Sequence, residues 1–191
     1  MARNHYITPT VPAQASYTVR LGADTSSGFT DADQGKFVKF SVESGFILAS
    51  AGDPIEGIVT SVDSATQNGW TIGGVNLGFP ACYVTFDGLE ATPGTGTVAL
   101  GDYVVVGSVT ARNTAMSGYP KVCKATNQPD EAVVSTLAGA DTAAAVKTVL
   151  DAALVKVADA AANSLYAYRV VSLGSAGTGA VGTTGVVMRM S

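Results

Sequence analysis

The sequence predicts a mainly β protein, a compact β-barrel or sandwich with a two-helix insertion and an extended N-terminal arm. Three observations support this prediction. Short runs of β-branched and aromatic residues alternate with glycine-centred turns over residues 31–128 and again over 164–191. The segment between them, 129–163, is rich in alanine and contains a single glycine. Residues 1–30 are polar, contain two prolines and follow no sustained period, which is typical of an extended arm.

The β region begins with an alternating stretch, Lys36–Val42, and the residues after Gly45 repeat the pattern as far as a turn at Gly52–Pro54. Asn68-Gly69 predicts a tight hairpin, because both central residues of a type I′ turn need a positive φ. Further short strands follow as far as Tyr119–Lys124, and this spacing of strands and turns is typical of a barrel or sandwich.

The alanine-rich segment changes the hydrophobic period from two to nearly four. We predict two helices here, one from about Asp130 to about Ala138 and a second that is capped near Asp141 and ends near Asn163. The second helix would carry a narrow apolar stripe suited to packing on a sheet or on a neighbouring subunit. The stripe consists of Val146, Val149, Leu150, Ala153, Leu154 and Val157. Strands then resume at Leu165–Leu173 and Val186–Met190.

Charge and composition exclude several classes of function. The chain has 191 residues and a net charge of −4, and its 11 basic residues are scattered, so we expect no nucleic-acid partner. No run of 18 apolar residues occurs, so we expect no bilayer-spanning helix and no membrane partner. No export signal is visible near Arg3, and we expect a soluble protein made in a cytoplasm.

The two cysteines, Cys82 and Cys123, lie in strand-like surroundings without a CxxC motif or a nearby histidine. We interpret them as two buried thiols. A structural disulfide is the main alternative, and metal ligation is a weaker one because a tetrahedral site needs about four ligands.

Three short patterns resemble functional motifs and lack the context those motifs need. Gly177–Gly182 matches GxGxxG, but strand-like residues follow it where a dinucleotide site needs a helix, so we predict a glycine hairpin loop. Asp31–Gly35 begins like a calcium loop but lacks the remaining ligands, which favours a solvated turn. His5 is the only histidine and lies in the predicted arm, which is a poor position for a general base.

We therefore expect no enzyme, no cofactor and no metal site. Single carboxylates leave one alternative open, a small hydrolase that uses a pair of acids brought together by the fold. The candidates are Asp53, Glu56, Asp63, Asp87, Glu90 and Asp102.

The order of several glycine-containing stretches resembles the head decoration or cement proteins of tailed bacteriophages. The resemblance covers roughly residues 36–106 and 166–190, and the insertion at 129–163 is longer than in plain members of that family. The stretches are Gly35-Lys-Phe-Val-Lys-Phe, Ser50-Ala-Gly-Asp-Pro-Ile-Glu-Gly-Ile-Val, Gly88, Val98-Ala-Leu-Gly-Asp-Tyr-Val, Tyr168-Arg-Val-Val and Gly185-Val-Val-Met-Arg-Met.

The resemblance implies a non-enzymatic virion protein that binds the outer surface of an expanded icosahedral capsid and stabilises it. Its partners would be the major capsid protein and further copies of itself, with a homotrimer favoured. The polar arm, Met1 to about Thr18, could add a strand to a neighbour through main-chain hydrogen bonds. The arm residues expected to contact the capsid are His5, Tyr6, Ile7, Pro9, Val11, Pro12 and Tyr17.

A carbohydrate-binding or adhesive β-module is the alternative function. It requires an exposed aromatic platform on which sugar rings could stack. The candidate rings are Trp70, Tyr83, Tyr103 and Tyr119.

Overall fold

The computed structural model describes residues 16–22, 29–41, 45–63, 71–108, 119–126, 142–163 and 167–190. These residues form eleven strands, a short 3₁₀ turn at Asp31–Asp33 and one helix, α1 (Ala143–Asn163), between the ninth and tenth strands. The strands are β1 (Ser16–Leu21), β2 (Phe37–Ser41), β3 (Gly45–Leu48), β4 (Gly57–Asp63), β5 (Thr71–Asn76), β6 (Ala81–Leu89), β7 (Thr92–Pro93), β8 (Val104–Val106), β9 (Lys121–Lys124), β10 (Tyr168–Ser172) and β11 (Thr184–Arg189).

The first five strands form a closed barrel in the order β1-β3-β2-β4-β5. The barrel closes where β5 pairs antiparallel with β1, from Ser16 opposite Asn76 to Leu21 opposite Thr71. On its other side β1 runs parallel to β3, with Leu21 opposite Phe46. The strand Ser16–Leu21 therefore belongs to the barrel, and the predicted arm boundary at residue 30 lies too far along the chain.

The second sheet has the order β10-β11-β6-β9-β8, and the two-residue β7 pairs with β6. This sheet curls until its edge strands approach each other at an isolated bridge between Tyr103 and Arg169. Two backbone hydrogen bonds support the bridge, from Gly101 N to Val170 O at 2.9 Å and from Val170 N to Asp102 O at 3.0 Å.

Two hydrophobic cores meet at the barrel wall. Consecutive side chains of a strand point to opposite faces, and Phe37 and Val38 of β2 accordingly enter different cores. Val38 lies in the barrel core with Leu21, Phe29, Phe46, Val59 and Val75. Phe37 lies in the larger core with residues of the second sheet such as Phe79, Val84, Phe86 and Tyr168. The mainly β fold that the sequence predicts, a barrel or sandwich, is confirmed as a closed five-stranded barrel together with a second sheet.

The helical insertion is confirmed only in part. The second predicted helix is present as α1 and ends at Asn163 as expected. Its first turn is capped by Thr142, whose Oγ1 accepts a hydrogen bond from Ala145 N at 3.2 Å, and this agrees with the cap expected near Asp141. The first predicted helix and the hairpin at Asn68-Gly69 lie outside the described residues.

Candidate interaction surface

Most of the predicted arm contacts lie outside the described residues. These are His5, Tyr6, Ile7, Pro9, Val11 and Pro12. Tyr17 lies on β1, opposite Val75 of β5, and its ring is 60% exposed. The neighbouring Ser16 Oγ is hydrogen-bonded to Thr60 Oγ1 at 2.6 Å. Tyr17 is therefore presented by a strand of the barrel.

The carboxylates considered for hydrolysis hold turns and strands in place. Asp53 and Asp102 each accept a hydrogen bond from the amide three residues earlier, which is the way an aspartate closes a turn. Asp53 also pairs with Lys39 at 2.7 Å, and Asp102 pairs with Lys124 at 3.0 Å. Glu56 and Glu90 accept hydrogen bonds from the amides of Phe40 and Thr126, both at 2.6 Å.

Asp87 is the centre of a buried polar cluster that sequence reasoning missed. Its carboxylate accepts hydrogen bonds from the backbone N and the hydroxyl of Ser108, and Lys121 Nζ lies 3.3 Å away. Burial by itself raises the pKa of Asp87, but the hydrogen bonds from Ser108 and the charge of Lys121 outweigh it and lower the pKa. The Ser108 hydroxyl therefore donates to an ionised carboxylate. Since Asp87 lies on β6, Lys121 on β9 and Ser108 just after β8, the cluster joins these three strands.

A similar polar contact holds the 3₁₀ turn before β2. Asp33 is buried, accepts hydrogen bonds from Thr30 N and Oγ1, and pairs with Lys36 at 2.6 Å. Burial raises its pKa, and the hydrogen bonds from Lys36 and Thr30 outweigh that effect and lower it. The expected turn is present, but Asp33 is a buried anchor and not the solvated residue that we predicted.

Both cysteines are free and buried, which confirms the interpretation as buried thiols. Burial raises the pKa of Cys82 to about 12. Burial, together with the negative charges of Asp87 and Glu90, raises the pKa of Cys123 to about 11. The thiolate is the reactive form, so neither sulfur is poised for chemistry.

The GxGxxG stretch lies in the connection between β10 and β11, and a strand follows it as predicted. This loop packs against the chain before β8: Thr97 forms a bridge with Ala180, and Val98 N donates to Gly179 O at 2.9 Å. A Cβ atom on Gly179 would lie only 1.7 Å from Val98 O. Only glycine allows the two loops to approach this closely.

These two loops, residues 91–101 and 174–184, form what we call the loop surface. The loop surface contains no charged residue, although 26 of the 191 residues in the chain are Asp, Glu, Lys or Arg. Most of its residues are exposed, including Leu100 at 61% and Val181 at 40%. The loop surface thus presents glycines, threonine hydroxyls, small apolar residues and two large apolar side chains to solvent.

Internal hydrogen bonds hold the loop surface in shape. Thr183 Oγ1 donates to the carbonyls of Thr178 and Ala180 at 2.9 and 2.7 Å. Gly182 N donates to the carbonyl of Phe86 in β6 at 2.8 Å. A surface ordered before binding loses less conformational entropy when a partner docks, and the centres of protein interfaces are depleted of charged residues. Both properties fit a protein-binding surface.

The aromatic residues of the alternative function are already in contact with other side chains. The Tyr83 and Tyr119 rings pack on each other with centroids 5.2 Å apart and planes tilted by 31°. The guanidinium carbon of Arg169 lies 4.1 Å from the centre of the Tyr103 ring. Trp70 lies outside the described residues. The three described rings therefore all contact other side chains, and among them Tyr119 is exposed, at 48%, while Tyr83 and Tyr103 are half-buried.

Within the described ranges, no group of three or more His, Cys, Asp or Glu side chains is placed to hold a metal ion. The part of the chain that the structure describes also has no helix long and apolar enough to cross a membrane. Comparisons with protein-family models, with curated proteins and with solved structures find no match to this chain.

Proposed function

We propose that the chain is a structural virion protein that binds the outer surface of an expanded icosahedral phage capsid and stabilises it. The loop surface carries this proposal, because it is exposed, free of charge and ordered by its own hydrogen bonds. The roles found for the acidic residues also support it, since Asp53, Asp87 and Asp102 hold the fold together.

Binding through the loop surface would depend on shape and on hydrogen bonds to backbone groups. Leu100 and Val181 would be buried against the capsid protein, and the threonine hydroxyls around them would meet polar groups of the shell. One such contact is small, but a shell offers many equivalent sites, and copies linked to one another bind with a higher combined affinity.

The arm would supply a second contact in this proposal. Among the described residues, β1 is paired along its whole length with β5 and at Leu21 alone with β3. An arm that pairs by strand addition would add its main-chain hydrogen bonds to an edge of the capsid protein or of another copy.

The test is co-sedimentation of the purified chain with expanded heads of the phage that encodes it. We expect the native chain to travel with the heads, and we expect Leu100→Asp and Val181→Asp each to weaken binding at least tenfold, because a buried aspartate would lack a partner. Met190→Asp is the matched control, since Met190 is 44% exposed and lies outside the loop surface.

A native chain that stays with small soluble species would overturn the proposed function. Unchanged binding by both aspartate variants would instead show that the loop surface is not the surface that contacts the capsid. The arm is tested with a chain that lacks residues 1–15, which we expect to keep its fold and to lose binding to the heads, and retained binding would remove the role of the arm. The deletion ends at residue 15 because Ser16 begins β1.

A further inference from the structure

The helix α1 carries an apolar stripe that the rest of the described chain does not cover. Leu150 and Leu154 of this stripe are 50% and 66% exposed. None of the described side chains of α1, residues 143–155, is buried. Two exposed leucines one turn apart form a contiguous apolar patch on α1, and such a patch indicates a partner surface.

A narrower row of small and apolar residues along this stripe, which we call the seam, has the spacing that suits a second helix. In the described side chains the seam consists of Ala143, Val146, Leu150 and Ala153, at intervals of three, four and three residues, and the sequence repeats the spacing at Val157 and Ala160. Leu154 lies beside the seam. This alternation places one apolar seam along a helix of 21 residues, which is roughly 30 Å long. A helix of the same kind can lie along the whole seam.

The charges of α1 favour a second copy of this chain as the partner. The helix contains two lysines and two aspartates, so it is neutral although the chain as a whole has a net charge of −4. Lys147 and Asp151 pair within the helix at 2.5 Å, away from the seam. Two copies can therefore approach at α1 without repulsion. A membrane surface is disfavoured, since helices that bind membranes carry a basic polar face.

The sizes of the seam residues favour an antiparallel pair. When the two helices run in opposite directions, Leu150 stands level with Ala153 of the second copy and Val146 with Val157. A large residue then meets a small one at the centre, whereas a parallel pair would place leucine opposite leucine and alanine opposite alanine. Antiparallel helices also align their dipoles favourably.

We propose that α1 pairs antiparallel with α1 of a second copy and so links two protomers by a two-fold contact. The contact is independent of binding to a capsid, and it can form in solution. Because a single helix pair buries little surface compared with standard interfaces, the association depends on protein concentration.

The first test is sedimentation velocity of the full-length chain over a range of concentrations. We expect dimers at high concentration, and we expect Leu150→Lys to raise the dimer dissociation constant at least tenfold. Ala152→Lys is the matched control, because Ala152 is exposed on the same helix but lies outside the seam. Circular dichroism of both variants checks that the fold is retained.

A native chain that stays monomeric at every concentration would overturn the proposal. An equal loss of dimers in Ala152→Lys and Leu150→Lys would overturn it as well, since the seam would then not be the contact.

The orientation is tested by disulfide cross-linking of Leu150→Cys and Ala153→Cys chains, separately and mixed. We expect a cross-link between the two different variants in the mixture, and we expect the native chain to remain unlinked because Cys82 and Cys123 are buried. Preferential linking of each variant to itself, or a trimer that depends on Leu150, would overturn the antiparallel arrangement. None of these experiments uses capsids, so their failure is distinct from failure of the proposed function.

Discussion

The barrel of β1–β5 and the second sheet of β6–β11 close in different ways. Strand pairing closes the barrel, with six consecutive residue pairs between β1 and β5. The edge strands of the second sheet, β8 and β10, meet at the single bridge between Tyr103 and Arg169. Loops then complete the closure through contacts such as that between Val98 and Gly179.

This difference shows how a sheet with few edge hydrogen bonds can still be well ordered. The loops of the second sheet approach each other at backbone distance, and their threonines and aspartates satisfy the backbone groups that a longer strand would pair. Because loops close the second sheet, an exposed and uncharged loop surface lies where the sheet closes. The barrel closes by strand pairing and does not need such loops. We expect substitutions at these loop contacts to distinguish the two units.

The largest effect is expected for Gly179→Ala. The new Cβ would lie 1.7 Å from Val98 O, so the two loops would have to separate. We expect the free energy of unfolding to fall by about 3 kcal/mol, measured by urea denaturation. Gly177→Ala is the matched control, because Gly177 has open space around it and costs only about 1 kcal/mol for its positive φ of 61°. Equal losses in the two variants would show that the loop contact does not close the sheet.

A smaller effect is expected for Asp87→Asn, which keeps the size of the side chain and removes its charge. The variant weakens the hydrogen bonds from Ser108 and the ion pair with Lys121. We expect a loss of about 2 kcal/mol in the free energy of unfolding. The control is Asp31→Asn in the 3₁₀ turn before β2, where the side chain is exposed and we expect a change within about 0.5 kcal/mol.

The pH dependence of stability should reflect one carboxylate in each unit. Asp87 lies in the second sheet, and Asp33 lies in the 3₁₀ turn before β2 of the barrel. Both carboxyl groups have a lowered pKa in the folded chain, so their stabilisation is fully present above the unfolded pKa of about 4 and is lost as the pH falls through the folded values. We expect the urea midpoint to be steady between pH 7 and pH 5 and to fall below about pH 4. Asp87→Asn should reduce that fall, and an unchanged fall would contradict the role of this carboxylate.

The smallest effect is expected for Tyr168→Phe. Tyr168 donates a hydrogen bond to Phe79 O at 3.1 Å and stacks on the Phe79 ring with centroids 4.6 Å apart. The hydroxyl thus joins the second sheet to the link that follows β5. We expect a loss of about 1 kcal/mol in the free energy of unfolding, because the buried carbonyl loses its donor. Tyr17→Phe on the exposed face of β1 should leave stability unchanged, and equal losses in both would contradict this account.

The sequence predicted those features that depend on residues close to one another along the chain. Alternation predicted the strands around Phe37 and Val122, and the three-to-four spacing predicted α1 with an end near Asn163. The strand β1 also alternates, at Tyr17, Val19 and Leu21, but the polar residues around it concealed that signal.

Features that join distant parts of the chain were not predictable in this way. Gly179 resembles any loop glycine until the fold brings it to Val98, 81 positions earlier. Asp87 and Ser108 meet only because β6 and the end of β8 are joined through β9. The loop surface also draws on two stretches far apart in the sequence, so composition indicated an assembly protein without locating its contacts.

The strand order also governs when each unit can fold during synthesis. All strands of the barrel lie between Ser16 and Asn76, so the barrel can form as soon as that part of the chain has left the ribosome. The second sheet has to wait, because β6 pairs with β11, with Thr85 opposite Thr184. Closing so long a loop slows folding. Until the last strand arrives, β6 has an open edge, and the newly made chain is most exposed to aggregation during that interval.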